Sequence, residues 1–261
     1  MKKRLLAFLL VILYCIMLLT GCGRTPDSAS STPIAEKEES TKSTTAPEPS
    51  EQPVESDRTE SHLIDGFEII LQAPELPTGC EITALTMALR FYGFDADKVT
   101  MASEYLPCRP ANLYYGNDGR LYGSDLNDYF IGDPFSTTGI ICGTGAIVTA
   151  ANAYLSDCGS TLKAEDLSGA SPEELYELVA QDIPVVVWVT VGLEDRGEVE
   201  GWFTEDGDYV DWGRNDHGAV LIGYTNDTVV IADPISGRTE YDRETFEKIF
   251  ALRNNQCVIL R

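Results

Sequence analysis

The sequence predicts an α+β domain in which helices come first and antiparallel strands follow, preceded by segments outside the fold. Three observations carry this reading. Apolar residues recur at helical spacing early in residues 61–261, most densely between Cys80 and Tyr92. Short Val- and Ile-rich runs punctuated by turn residues occupy the chain from Pro184 onward. Residues 23–60 are rich in Ser, Thr, Pro and Glu, a composition that cannot bury enough surface to offset ordering entropy.

The 261 residues carry 19 Lys+Arg against 42 Asp+Glu, a net charge of −23. Nearly all of this charge belongs to residues 61–261. Such a surface repels nucleic-acid phosphates and anionic head groups, which excludes nucleic acid as a partner and tolerates cationic peptides. Hydrophobic residues make up 43% of the chain, enough for one sizeable core. No internal repeat is visible.

The elements follow in order. Lys2, Lys3 and Arg4 precede an unbroken apolar run, Leu5 to Leu19. Its length suits a signal peptide and is short for a membrane span. It ends in Leu19-Thr20-Gly21-Cys22, which resembles the bacterial lipobox. That resemblance implies removal of residues 1–21 and lipidation of Cys22. Residues 22–60 then form a lipidated, disordered tether holding residues 61–261 on the extracytoplasmic face of a membrane.

Within the domain, Phe67–Leu71 reads as a short strand. Thr78 or Gly79 opens a helix that runs to about Tyr92 and closes at Gly93. It is apolar on nearly every side, so it is a buried helix. A second short helix covers Ala96–Tyr105. Residues 107–138 are rich in Gly, Asn, Asp, Pro and Tyr and read as a long loop excursion. Its Tyr114, Tyr115, Tyr122 and Tyr129 either pack the loop down or receive a peptide. Thr144–Leu155 is helical, and Ser171-Pro172-Glu173-Glu174 caps a helix that runs to about Gln181. Pro184–Val191 is a buried strand, and Glu200–Trp212 is a hairpin around Asp206-Gly207. Strands Gly218–Tyr224 and Thr228–Ala232 flank a loop, Thr225-Asn226-Asp227. Asp242–Ala251 is a helix and Gln256–Leu260 a last strand.

Of the seven cysteines, Cys15 lies in the signal segment and Cys22 takes the lipid. Cys142 and Cys158 flank a helix whose rise of about 1.5 Å per residue keeps them roughly 20 Å apart, too far for a disulfide. The absence of C-x-x-C, with only His62 and His217 as histidines, gives no metal-ligand spacing and implies no cofactor.

Cys80 follows the turn Leu76-Pro77-Thr78-Gly79 and opens the buried helix. The free N–H groups and partial positive charge of a helix N-terminus lower a thiol pKa, and Glu81 works weakly against that. A thiol nucleophile needs a base that can also protonate a leaving amine. His217, heading an apolar strand in Asn215-Asp216-His217-Gly218, fits that role; His62 at the edge of the tether reads as an incidental surface residue. Asp233 ends the following strand in Ile231-Ala232-Asp233-Pro234. If Tyr224 pairs with Thr228, His217 lies opposite Ile235, and Asp233 sits diagonally on the same face, within side-chain reach. A shift of one residue would break that pair. Asp216, adjacent to His217, points to the opposite face. Gln72, at the end of the first strand, is a weak candidate for oxyanion donor.

Gln72 through Glu81, with Leu76-Pro77-Thr78-Gly79-Cys80-Glu81 as its core, then Pro184–Thr190, His217-Gly218-Ala219-Val220 and Ala232-Asp233-Pro234, resemble a known family. It comprises peptidases related to those that trim double-glycine leaders from bacteriocins, in their stand-alone secreted branch. The resemblance covers about residues 64–261. It implies a papain-like cysteine peptidase fold, with a helical half bearing Cys80 and a sheet half bearing His217 and Asp233. It also implies a catalytic triad of these three, Gln72 assisting the oxyanion, and a peptide or protein substrate; the chain is read separately as a monomer. Leader-trimming members are fused to an exporter and face the cytoplasm, whereas this chain shows no transporter segment. A cell-wall stem-peptide amidase or endopeptidase, and a non-catalytic peptide-binding surface module, remain as alternatives.

Overall fold

The structure, a computed structural model, describes residues 61–261. The expected signal segment at 1–21, Cys22 and the tether to residue 60 lie outside the described residues. Among the described residues no helix is long and apolar enough to cross a membrane.

The fold opens with β1 (His62–Leu63) and the central helix α1 (Cys80–Phe91). Helix α2 (Lys98–Thr100) has its first N–H groups capped by the Asp97 carboxylate and continues as a π-helical turn, Met101–Tyr105. The excursion holds only two-residue strands: β2 (Cys108–Arg109), β3 (Tyr114–Tyr115), β4 (Leu121–Tyr122) and β5 (Phe130–Ile131). Next come α3 (Thr144–Asp157), β6 (Ala164–Asp166) and α4 (Pro172–Val179). The cap predicted at Ser171 forms and is a reciprocal capping box, the Ser171 and Glu174 side chains each bonding the other's backbone N–H. Strands then dominate: β7 (Val185–Thr190), β8 (Val199–Phe203), β9 (Tyr209–Gly213), β10 (Asp216–Tyr224), β11 (Thr228–Asp233) and β12 (Gly237–Asp242). Helix α5 (Arg243–Leu252) and β13 (Cys257–Leu260) complete the chain.

The main sheet is antiparallel in the order β12-β11-β10-β7-β13-β6, with β1 paired to β10 off this path. All six residues of β7 are buried, as a Val-rich strand covered on both faces requires. Helix α1 packs against β10 and β7 and is buried from Cys80 to Leu89, so the all-round apolar pattern places it in the core. A small second sheet joins β3 and β4 of the excursion to the β8–β9 hairpin.

The β10–β11 hairpin sets the functional geometry, and it reaches the predicted register by a different route. Tyr224 pairs with Val229 rather than Thr228, so the loop is one residue longer than expected. A bulge on β10 between Leu221 and Gly223 absorbs the difference, and Val220 pairs with Ala232. Parity at His217 and Asp233 is thereby restored. The carbonyl of the bulged Ile222 accepts a hydrogen bond from the Ile64 N–H, so the irregularity leaves no orphan acceptor there.

Two expectations change. Phe67–Leu71 is not a strand: Phe67, Ile69 and Ile70 pack on the core from an irregular segment, while the edge of β10 near Tyr224 is taken by His62 and Leu63. His62 is therefore not incidental, since its ring bonds Asp182 at 2.8 Å and its backbone enters the sheet. Strands β6 and β12 are additions; β12 alternates half-buried and exposed side chains at the sheet edge.

Candidate active site

Three parts of the chain meet at the N-terminus of α1. The first is the turn leading into the helix. Pro134 and Ser136 of the excursion pin it: Thr78 donates its N–H to Pro134 O (3.4 Å) and its hydroxyl to Ser136 O (2.9 Å). A Cβ on Gly139 would lie 2.2 Å from Thr78 Oγ1, so only glycine lets this segment approach the turn so closely. The excursion thus buttresses the turn before Cys80. Of its tyrosines, Tyr122 stacks on Tyr114 and bonds Asp118, and Tyr129 carries Arg109 over its ring. These pack the loop down, while Tyr115 stands 76% exposed.

The second part is β10. Its backbone touches α1 at Gly218, where a Cβ would fall 2.8 Å from Glu81 Cα. This contact brings the strand against the cysteine: the Gly218 N–H acts directly on the Cys80 sulfur, as does the Glu81 N–H. Both favour a thiolate. His217 immediately precedes Gly218, so its backbone lies one residue from this contact.

The third part is the β11 end. Asp233 Oδ1 meets His217 Nε2 at 3.0 Å, with the two side chains 4% and 1% exposed. Asp233 Oδ1 also accepts the N–H groups of Ile235 (2.6 Å) and Ser236 (3.1 Å). Burial alone would raise the carboxyl pKa, but His217 and these two N–H groups outweigh it and bring Asp233 down from 3.8 to about 2. Because Nε2 is committed to Asp233, Nδ1 is the ring atom left for chemistry. Asp216 has another partner set: its buried carboxylate holds Arg196 (2.8 Å) and Arg253 (3.1 Å). That pairing places it on the side away from the His217–Asp233 couple, as strand alternation requires.

Gln72 joins these parts. Its N–H donates to Pro234 O (2.8 Å), one residue past Asp233. Its Nε2 donates to Pro77 O (2.9 Å) in the turn before Cys80. A carbonyl at that position fixes which end of the amide is nitrogen. The second Nε2 hydrogen remains for another acceptor, and Oε1 is buried with no hydrogen-bond partner among the described residues.

The residue that the sequence undervalues is Glu81. Its side chain is not a weak solvated neighbour but is buried, with the residue 1% exposed. The Cys80 thiol donates to Glu81 Oε2 at 3.3 Å, and the Cys142 N–H donates to Oε1 at 3.4 Å. Cys142 is held in turn by Trp188 Nε1, which donates to its carbonyl at 2.8 Å. Burial first, and then the Glu81 charge, push the Cys80 thiol pKa well above its ordinary value. Burial also raises Glu81, against the pull of its hydrogen-bond donors and the charge of His217. The one sequence signal for this was adjacency to Cys80, which does not reveal where the carboxylate points.

All five described cysteines are free. A surface groove lined by Asp166, Glu174, Glu177 and Arg261, among others, includes none of the residues above.

A cysteine-bearing helix packed on an antiparallel sheet that presents a His–Asp pair defines the fold class as that of the C39-like peptidases. The chain belongs to the Peptidase_C39 like family, whose model matches residues 64–258. It is 29% identical to the uncharacterized protein YvpB of Bacillus subtilis (strain 168) over 192 residues, covering 73% of this chain and 72% of YvpB. A crystal structure described as that of a "putative C39-like peptidase" from Bacillus anthracis superposes with a TM-score of 0.67 at 31% identity. That likeness covers 77% of this chain and 98% of the other.

Proposed function

We propose that this chain is a cysteine peptidase that cleaves peptide bonds through Cys80, His217 and Asp233. Membership of a peptidase family and the mixed helix-and-sheet fold support hydrolysis of peptides. The observation that carries the specific assignment is the commitment of His217 Nε2 to Asp233 while the neighbouring Gly218 N–H reaches the Cys80 sulfur. This arrangement aims one imidazole nitrogen at an orienting carboxylate and leaves the other for a thiol.

In this scheme His217 Nδ1 takes the Cys80 proton, and the thiolate attacks the carbonyl carbon of the scissile bond. The oxyanion that forms is met by the Cys80 N–H, free at the first turn of α1, and by the second Nε2 hydrogen of Gln72. The imidazolium gives its proton to the departing amine, leaving a thioester on Cys80. Water, deprotonated by His217, releases the acid and restores the thiol. Asp233 holds the ring orientation and favours the imidazolium throughout. Lipidation at Cys22 would place this activity outside the cytoplasm, on peptides or proteins within reach of the tether.

The test is a peptide library, including cell-wall stem peptides, incubated with the protein and with Cys80→Ala and His217→Ala variants. Cleavage by the parent with loss in both variants supports the scheme. Equal cleavage by all three refutes it.

A further inference from the structure

The mechanism uses a thiol, an imidazole, a carboxylate and an amide, yet leaves unused a buried carboxylate hydrogen-bonded to the sulfur. Glu81 Oε2 lies 3.3 Å from Cys80 Sγ and receives the thiol proton as a hydrogen bond. Groups from every element around it face Glu81. Cys80 faces it from its own helix, and the N–H and buried thiol of Cys142 from the segment entering α3. His217 faces it from β10, and Arg253, beyond α5, acts on it through space. The Gly218 backbone closes the remaining side.

From this juxtaposition we infer that Glu81 is a positioning residue that governs the protonation of the nucleophile: ionised, it keeps Cys80 a thiol; protonated, it releases Cys80 to His217. The inference rests on the reading of Cys80 and His217 as nucleophile and base.

The competing effects can be ranked by distance. An ionised Glu81 opposes a thiolate and favours an imidazolium. It touches the sulfur through a hydrogen bond, whereas His217 acts on it through charge alone, so the effect on sulfur is the larger. The imidazolium already has Asp233 as a direct partner. When Glu81 takes a proton from solvent, its O–H turns from acceptor to donor toward the sulfur. The thiol proton passes to His217 Nδ1, and the products are a thiolate and an imidazolium. No other reactant is needed. Burial raises the Glu81 pKa, so this proton is taken up at a higher pH than an exposed glutamate would take it.

Glu81→Gln separates this role from a structural one. The amide keeps an oxygen for the Cys142 N–H and puts an N–H donor at the sulfur, imitating the protonated acid. The readout is alkylation of the full chain by iodoacetamide at neutral pH, with each cysteine followed by mass spectrometry. We expect Cys80 to react at least about tenfold faster in Glu81→Gln, the change that one unit of thiol pKa produces. Exposed Cys158 should be unchanged, and the gain should vanish in Glu81→Gln/His217→Ala. In the parent, the rate at Cys80 relative to Cys158 should rise as the pH is lowered from neutral to mildly acidic. An unchanged or slower Cys80 in Glu81→Gln overturns the inference, as does a parent ratio that only falls with acid. Absence of peptide cleavage in both proteins, with the alkylation gain intact, would refute the peptidase reading and leave the role of Glu81 standing.

Discussion

Substitution of Asp233 separates orientation from charge at the proposed base. Asp233→Asn keeps an oxygen that can accept from His217 Nε2 and from the Ile235 and Ser236 N–H groups, and removes the charge. The carboxyl is held at about 2 rather than 3.8. At 1.36 kcal/mol per unit this is a preference of about 2 kcal/mol for the charged form, shared between His217 and the two N–H groups. The share belonging to the imidazolium is then about 1 kcal/mol, so kcat/KM should fall roughly five- to tenfold in Asp233→Asn. Asp233→Ala also strands the Nε2–H of a histidine that is 1% exposed. An unsatisfied buried donor costs about 1–3 kcal/mol more, which takes the loss to roughly 10²-fold or beyond. The assay is continuous hydrolysis of a fluorogenic peptide selected from the library. Equal rates for Asp233→Ala and parent, or a larger loss in Asp233→Asn than in Asp233→Ala, would refute the reasoning.

The same carboxylate predicts a pH-dependent stability term. Its folded pKa is depressed, so its contribution is full above the ordinary value of 3.8 and is lost as the pH falls through about 2; denaturant midpoints of parent and Asp233→Asn should converge over that interval. Gly218→Ala places a methyl 2.8 Å from Glu81 Cα and Cγ, so it should destabilise the fold by about 1–3 kcal/mol and depress Cys80 reactivity, measured by urea melts and alkylation. Asp216→Ala leaves Arg253 and Arg196 without their shared buried partner and should cost about 3–5 kcal/mol in the same melts. Cys80→Ala should unfold like the parent and lose turnover entirely.

Much of this architecture is written in local patterns. The all-round apolar run of α1, the Val-rich β7 and the Ser171 cap each specify an element without help from the rest of the chain. The His217–Asp233 couple was legible because strand alternation ties residues at fixed offsets to one face. Its register was right for an incomplete reason: the longer loop and the Ile222 bulge cancel, and neither has a local signature. β12 escaped notice because Gly237–Asp242 is polar and sits at an edge, where it needs only one apolar side. The segment at Phe67 reads as a strand from composition, yet a strand also needs an unpaired neighbour, and β1 occupies that edge. Glu81 was misjudged for a related reason. A carboxylate in the first turn of a helix ordinarily faces water; here Gly218 and the Cys142 peptide enclose it, and both come from distant parts of the sequence.

The central claim is that Cys80 carries the acyl group of the substrate during turnover. Acid-quenched intact-mass analysis of the protein mixed with a cleaved peptide ester tests it directly. The account predicts a transient mass increase equal to the acyl portion, mapping to Cys80 and absent from Cys80→Ala. Steady hydrolysis in the Cys80→Ala variant, or an adduct on another residue, would contradict it.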